Sequence, residues 1–549
     1  MAKTQSEKMN EKAQEFSKNE DGPGSNKLKE TKKEEAGSKN STIQGQSRHL
    51  ARKSTLSLGS NVLITLFGLV SLIFVKRYMG YQAVGILAFS IAFCQMFSIV
   101  GDLGFSSTHL KRVGEGLDPA LANGTYLTVK ALLTLLMGAT IFIWLFIQKH
   151  VFNYQFSSEE QEVVLYLIIV QYMLLNIGMS FKTVFSARLE IAKANIPHTT
   201  GRFTVMAGKV LVALTGLSVL YLGGAELLGT FAMLLFYLLL FKGIPIKKTN
   251  WQAVKYYTSF ALPMVFIGFV GSLAYNVDKV MLGYLANAEE VGIYTIPQRI
   301  AVTLLLISTT LTTILFVVFS ESYQKKQFSE IREISARSEK YISIFTLPFI
   351  VFLFIFGKES LILVFGEDSS ASFPVLEIML VALYLETTMN PYHVQIVATG
   401  NLKAAGWIAV LVLLLNILLD FILVPDEIGG LPAFGLGAKG AAISTLTALS
   451  LRAVLVRVVA FSITGSKPNK RILLHIFVAT ISGITLYLLS REVGWHHWLL
   501  LFIYAPLLIA LYLGLLRLVG EFTKEDLRFY MDTLNLGKMK SYVLKEMKR

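Results

Sequence analysis

Apolar residues in this chain run in long unbroken stretches, with polar and charged residues gathered into the short intervals between them. A helix rising ~1.5 Å per residue needs about 20 such residues to cross a hydrocarbon core of roughly 30 Å. Windows of that kind lie near 56–75, 84–106, 122–147, 163–187, 200–222, 226–242, 257–284, 291–319, 340–356, 374–398, 404–424, 437–462, 471–489 and 497–519. The pattern predicts an all-α, polytopic transmembrane fold of about fourteen helices. Two segments depart from it. Residues 1–54 are dominated by Lys, Glu, Ser, Asn and Gly, too little apolar surface to order a segment, and a disordered tail is expected there. The first apolar run, starting near Leu56, is long enough for a retained span rather than a cleaved leader. From Glu521 onward, Leu527, Tyr530, Met531 and Leu534 recur at helical spacing ahead of Lys538, Lys540, Lys545, Lys548 and Arg549. That is the pattern of an interfacial helix with a polybasic end.

The chain also reads the same way twice. Lys76-Arg77-Tyr78-Met79-Gly80-Tyr81, then Val84-Gly85-Ile86, reappears as Lys279-Val280-Met281-Leu282-Gly283-Tyr284, then Val291-Gly292-Ile293. Ala192-Lys193-Ala194-Asn195 reappears as Ala398-Thr399-Gly400-Asn401. Gly85 and Gly292 are 207 positions apart, and Asn195 and Asn401 are 206 apart, so one duplication accounts for both matches. Six helices per half is an even number, so the second half enters the membrane from the same side as the first. The repeats are then parallel, related by a pseudo-two-fold along the membrane normal, with a cavity between two lobes. The expected organisation is a cytoplasmic tail at 1–54, a first six-helix lobe at 55–245 and a second at 252–462. Two additional helices follow at 471–519, then a basic cytoplasmic tail at 520–549.

Charge adds an orientation. Hydrophobic residues make up 53% and charged residues 16%, and the mean hydropathy of +0.56 excludes an ordinary soluble domain. Roughly eighteen Lys and Arg fall in one alternate set of connections against about six in the other, which places the first set and both termini in the cytoplasm. The net charge of +14 is absorbed by that bias beside anionic lipid, and no nucleic-acid partner is needed to explain it. In the opposite connections the reading places acids, among them Glu159, Glu226, Glu290 and Asp426. Cys94 is the single cysteine, and the histidines show no metal spacing; His496-His497, flanked by Trp495 and Trp498, reads as an interfacial anchor. Nucleotide-binding and nucleophile motifs are absent, so neither an enzyme nor a cofactor is expected.

The Asp278-Lys279-x-x-Leu282-Gly283-Tyr284 turn, Glu290-Val291-Gly292-Ile293-Tyr294 after it, and two six-helix halves followed by two helices resemble the polysaccharide (oligosaccharide) flippases. These are O-antigen-type members of the multidrug/oligosaccharidyl-lipid/polysaccharide exporter superfamily. The resemblance covers about 52–520 and implies a plasma-membrane transporter. Such a transporter moves an isoprenoid-phosphate-linked oligosaccharide from the inner to the outer leaflet, with glycosyltransferases of the same pathway as possible partners. A multidrug or organic-cation antiporter on the same scaffold is the alternative, but 56–75 lacks the acid that its first-lobe ion site typically needs. A membrane-embedded glycosyltransferase or polymerase is the remaining class, and the short connections leave little room for its catalytic loops.

Unrepeated charges nominate the site. Arg299 lies about eight residues inside its helix, ~12 Å deep at ~1.5 Å per residue, and its counterpart in the first half is Ala92. Lys209 has Leu415 as counterpart, and Lys130 sits within the third span. A charge in hydrocarbon costs several kcal/mol unless it faces water or a partner, so Arg299, Lys209 and Lys130 are candidates to bind an anionic headgroup. Glu386, one turn before Asn390-Pro391, and Asp420 are candidates to carry a coupling H+ or Na+. For Glu386 the competing role is neutralising a nearby cation. Asp278 reads as a local pair with Lys279, Lys76 and Lys279 as topology anchors, and Arg452 and Arg457 as snorkelling cations.

Overall fold

The computed structural model describes residues 25–153, 155–156, 158–493, 499–523 and 526. The stretch through Gly59 and the body from Ser60 to Thr523 are separate units. In the first unit the described residues, from Ser25, are helix. Both the interfacial helix expected from Glu521 onward and the His496-His497 anchor fall outside the described residues.

The body is helical throughout, apart from one small hairpin. Helix α1, Ser25–Phe97, is broken at Gly80, whose φ of 81° and ψ of −176° only glycine adopts without strain. The membrane-length part of α1, Gly59–Phe97, has 39 residues. That is twice what a bilayer needs, so the break divides it into two spans. A turn through Leu103 and Gly104, both at positive φ, then leads into a short helix, α2, Phe105–Gly114. The sequence pattern had run its second span on to 106, whereas the helix stops at Phe97. Phe105, Thr108, His109 and Arg112 give α2 one buried face at helical spacing.

The remaining helices follow in order: α3 (Pro119–His150), α4 (Glu159–Ala187), α5 (Ile191–Thr215), α6 (Val219–Leu240), α7 (Trp251–Leu285) and α8 (Ala288–Gln324). After them come α9 (Phe328–Phe365), α10 (Phe373–Ala398), α11 (Leu402–Leu423), α12 (Gly437–Thr464), α13 (Ile472–Val493) and α14 (Leu499–Leu518). Side chains cap several of their starts: Asp118 on α3, Ser158 on α4, Asn250 on α7 and Asn287 on α8 each accept a hydrogen bond from a first-turn amide. Among the described residues ten stretches are long and apolar enough to cross a membrane, and the chain is a multi-pass membrane protein. Helices α5, α7 and α8, of 25, 35 and 37 residues, carry Arg202, Lys209, Asp278, Lys279 and Arg299. Between α11 and α12, Glu427–Ile428 (β1) pairs antiparallel with Leu431–Pro432 (β2). Gly429 and Gly430, both at positive φ, make the two-residue turn this hairpin demands.

Packing follows a repeated scheme. In the first half α6 packs on both α4 and α5; in the second, α12 packs on both α10 and α11. Helices α5 and α6 cross backbone to backbone where Gly201 meets Gly229, a small-residue contact of the kind that membrane helices use. Helices α13 and α14 pack on each other and on α9. The two Val-Gly-Ile copies also meet. A Cβ on Gly85 would strike the Ala288 carbonyl and approach Gly292, and one on Gly292 would strike the Tyr81 carbonyl. Alongside, the Tyr81 hydroxyl lies 2.6 Å from the Ser372 hydroxyl, and Lys76 pairs with Asp368 at 2.7 Å. Lys76, read from sequence as an anchor, is thus a buried ion-pair partner.

Candidate functional site

Five of the helices that carry these charges and glycines enclose a cavity of about 580 Å³, bordered by α1, α4, α5, α7 and α8, with Glu226 reaching in from α6. Its charged lining is Arg202, Lys209, Lys279 and Arg299 against the one carboxylate, Glu226. Arg202 and Lys209 are seven residues apart on α5, two turns, and so share a face. Lys209 Nζ lies 2.6 Å from Glu226, and Arg202 reaches the other carboxylate oxygen at 3.6 Å. Arg299 and Lys279 form no ion pair among the described residues; Lys279 lies over the Tyr275 ring, 4.8 Å from its centre. The Arg299 guanidinium extends to Gly68 of α1, where any side chain would collide with it. Gln95, Asn176 and Gln298 add amide groups to the same wall. Unpaired guanidinium and ammonium groups next to amides suit an anionic headgroup attached to a polyhydroxylated body.

A second cavity, about 530 Å³, lies among α7, α8, α10, α11 and α12. It is mainly apolar and holds Asp278, Glu386 and Arg452. Successive helical residues point about 100° apart, so Lys279 faces the first cavity while Asp278 faces the second. Asp278 acts on Lys279 through its charge but makes no close ion pair with it: one carboxylate oxygen accepts from Tyr294 and from Thr445, the latter at 3.0 Å. Asp420, fully buried on α11, sits directly beside it, with Asn416 one turn earlier and Ser444 on α12. Neither Asp420 oxygen nor the second Asp278 oxygen has a donor in hydrogen-bond geometry. Two carboxyls this close in an apolar interior repel unless a proton or cation stands between them. Carboxylate, amide and hydroxyl oxygens form a donor set for H+ or a hard monovalent ion. Tyr275 and Gln298 border both cavities.

The sequence candidates divide accordingly. Arg299 and Lys209 share the first cavity. Lys130 lines neither cavity; its ammonium is held by the Gly101 carbonyl at 2.7 Å and by Asp102 at 2.8 Å. Glu386 lies in the second cavity, but both its oxygens accept from Arg452 at 2.9 Å. Arg452 is therefore no snorkelling cation, and Arg457 likewise pairs with the buried Glu339 at 2.9 Å. Three functional candidates escaped the sequence reading. Glu226, a connection acid by its sequence pattern, and Arg202 both lie inside helices and meet at the cavity wall. Lys279 had been set aside as an anchor. The two-turn spacing of Arg202 and Lys209 was the available signal.

Comparisons with known proteins bear on the fold. The family described as "Polysaccharide biosynthesis protein" matches residues 50–323. The chain is 22% identical over 312 residues to the teichuronic acid biosynthesis protein TuaB of Bacillus subtilis, covering 56% of this chain and 62% of TuaB. It is 24% identical over 424 residues to "Probable flippase AglR" of Haloferax volcanii, covering 74% of this chain and 82% of that one. Among solved structures, the lipid II flippase MurJ in its inward closed conformation aligns with a TM-score of 0.68 at 16% identity, over 85% of this chain and 99% of its own. An inward-facing multidrug resistance transporter of the same superfamily aligns at 0.60 and 14%, over 74% and 96%. The long apolar helices define a multi-pass membrane protein, and its fold is shared with solved transporters. The chain is similar to the polysaccharide biosynthesis proteins over residues 50–323 and shares the fold of these transporters.

Proposed function

We propose that this protein flips an isoprenoid-phosphate-linked oligosaccharide from the inner to the outer leaflet of the plasma membrane, for assembly of a cell-surface glycan. The observation that carries the reading is the pair of cavity cations, Arg299 and Lys279, that form no ion pair among the described residues. They lie where a diphosphate can bind, with the amides of Gln95, Asn176 and Gln298 to meet sugar hydroxyls. The names of the relatives support the substrate class: AglR is named as a flippase and MurJ as a lipid II flippase. A cation-lined cavity repels organic cations, which weighs against a multidrug antiporter.

The scaffold is two six-helix lobes, 55–245 and 252–462, with 471–519 added and basic tails at 1–54 and 520–549. The repeated packing of α4–α6 and α10–α12 and the contact between the Gly85 and Gly292 segments support that division. Counting α1 as two spans and leaving α2 aside gives fourteen crossings, which keeps both termini on the cytoplasmic side. The Asp278–Asp420 pair is the coupling site for H+ or Na+, in place of Glu386, whose charge is neutralised by Arg452. Glycosyltransferases supplying the lipid-linked sugar are the partners this role requires.

Reconstituted protein should move a fluorescent lipid-linked oligosaccharide between leaflets of proteoliposomes and respond to an imposed proton or sodium gradient. Transport of organic cations with no lipid flipping would reverse the choice of substrate. Orientation has its own test, because Cys94 is buried. Cysteines at the exposed positions Glu160 and Glu427 should react with an impermeant reagent from outside, and ones at Ser329 and Lys403 only after permeabilisation.

A further inference from the structure

The single carboxylate lining the cationic cavity among the described residues, Glu226, is almost wholly buried and lies between two cations of unequal grip. Lys209 holds it at 2.6 Å with a side chain only 10% exposed, whereas Arg202 approaches at 3.6 Å with 33% exposed. We infer that Glu226 is a resident counter-anion: the substrate's phosphate takes Arg202 from it on binding, and Glu226 takes Arg202 back on release. The inference rests on the flippase reading and names a residue that sets how quickly the substrate leaves.

The helices around Glu226 hold still while the side chains exchange. Gly201 and Gly229 bring α5 and α6 together backbone to backbone, and Gly208 lies against Ala225, the neighbour of Glu226. Carboxylate and cations therefore keep their register. Arg202 is the mobile member, because its contact is long and its side chain is the more exposed. A guanidinium also gains more from a phosphate, which it can meet with two parallel hydrogen bonds, than from one distant carboxylate oxygen. Turnover needs the exchange. A cavity of wholly uncompensated cations would bind a diphosphate tightly on both sides of the cycle, and tight uniform binding does not raise turnover. A carboxylate that competes for one cation weakens the bound state and gives Arg202 a partner when the headgroup departs.

The test uses the full chain in detergent with a short-chain isoprenyl diphosphate as probe, and proteoliposomes carrying lipid-linked oligosaccharide for turnover. Glu226→Gln should lower the Kd for the diphosphate about tenfold, since one more cation faces the ligand, and should slow flipping by a comparable factor. Glu226→Asp keeps the charge on a shorter stem and should fall between wild type and Glu226→Gln in both. The double variant Lys209→Met/Glu226→Gln loses one charge of each sign, so its Kd should return to within about threefold of wild type. Glu226→Gln with unchanged or weaker binding, or with tighter binding and unchanged flipping, overturns the inference. So does a Glu226→Gln chain that fails to fold while the double variant folds, flips and binds like wild type, for then the carboxylate only neutralises Lys209. A wild-type chain that does not bind the diphosphate refutes the flippase reading itself.

Discussion

The two cavities share α7, α8, Tyr275 and Gln298, yet their charge has opposite sign. The first gathers four cations around one carboxylate; the second has an apolar wall, a neutralised Glu386–Arg452 pair and Asp278, with the buried Asp420 behind it. Equivalent helix packing recurs in the two halves, and the charges inside them differ. Arg299 stands where the first half has Ala92, and Asp278 where it has Val75. A membrane interior makes such departures expensive, so each is retained beside a partner or a cavity. The difference teaches that one scaffold can offer an anion site and a cation site on adjoining faces of a single helix.

The comparison breaks first at Arg299. Arg299→Ala should cut flipping at least about a hundredfold, the scale for removing a buried charge partner from its ligand, at normal expression. Arg299→Lys should recover only part, because a point charge lacks the planar fork. Normal flipping by the alanine variant would return this residue to a structural role. At the second cavity, Asp420→Asn should abolish the response to an imposed gradient while leaving the Kd for isoprenyl diphosphate within about threefold. Glu386→Gln should retain that response, since Arg452 already masks its charge; loss of coupling in Glu386→Gln alone would move the ion site there.

The contact between the two repeats comes next. Cysteines replacing Lys76 and Asp368 should be bridged by a short bifunctional thiol reagent that spans the length of the lost lysine side chain, and Gly292→Val should suppress that cross-link by holding the Tyr81 backbone away. The smallest effect belongs to a residue outside both cavities. Lys130→Met should destabilise the protein by roughly 2 kcal/mol, below the full cost of a broken buried pair because Asp102 is 32% exposed. Adding Asp102→Asn should restore most of that loss in a thermal unfolding cycle, with flipping unaffected. Loss of flipping in a stably folded Lys130→Met chain would bring Lys130 back as a substrate contact.

Much of the architecture was legible because the bilayer imposes it. Apolar length alone located the long helices, and the repeated Val-Gly-Ile marked a contact between halves without revealing that its glycines touch. The turn after Phe97 and the short α2 were missed, because Ile99, Val100 and Phe105 continue an apolar run that only backbone dihedrals interrupt. Site residues were legible where a charge stood alone deep in a span, as at Arg299. They were not legible near the expected span ends, where Glu226, Arg202 and Lys279 look like loop or anchor charges and only tertiary packing turns them inward. Asp278 was misassigned through adjacency: neighbours in sequence were taken for neighbours in space, against the rotation of a helix.

That rotation has a mechanical consequence. Asp278 and Lys279 are joined by one peptide unit, with Cα atoms about 3.8 Å apart, so no relay of side chains has to carry a signal from the acid site to the anion site. Any turn of α7 about its axis that draws Asp278 toward Asp420 sweeps Lys279 through the same angle along the wall of the other cavity. Tyr275, one turn away on the same helix, is carried with them. On the proposed assignment, ion occupancy and headgroup grip are two readings of a single shaft angle, and loosening one without moving the other would require α7 to unwind between adjacent residues.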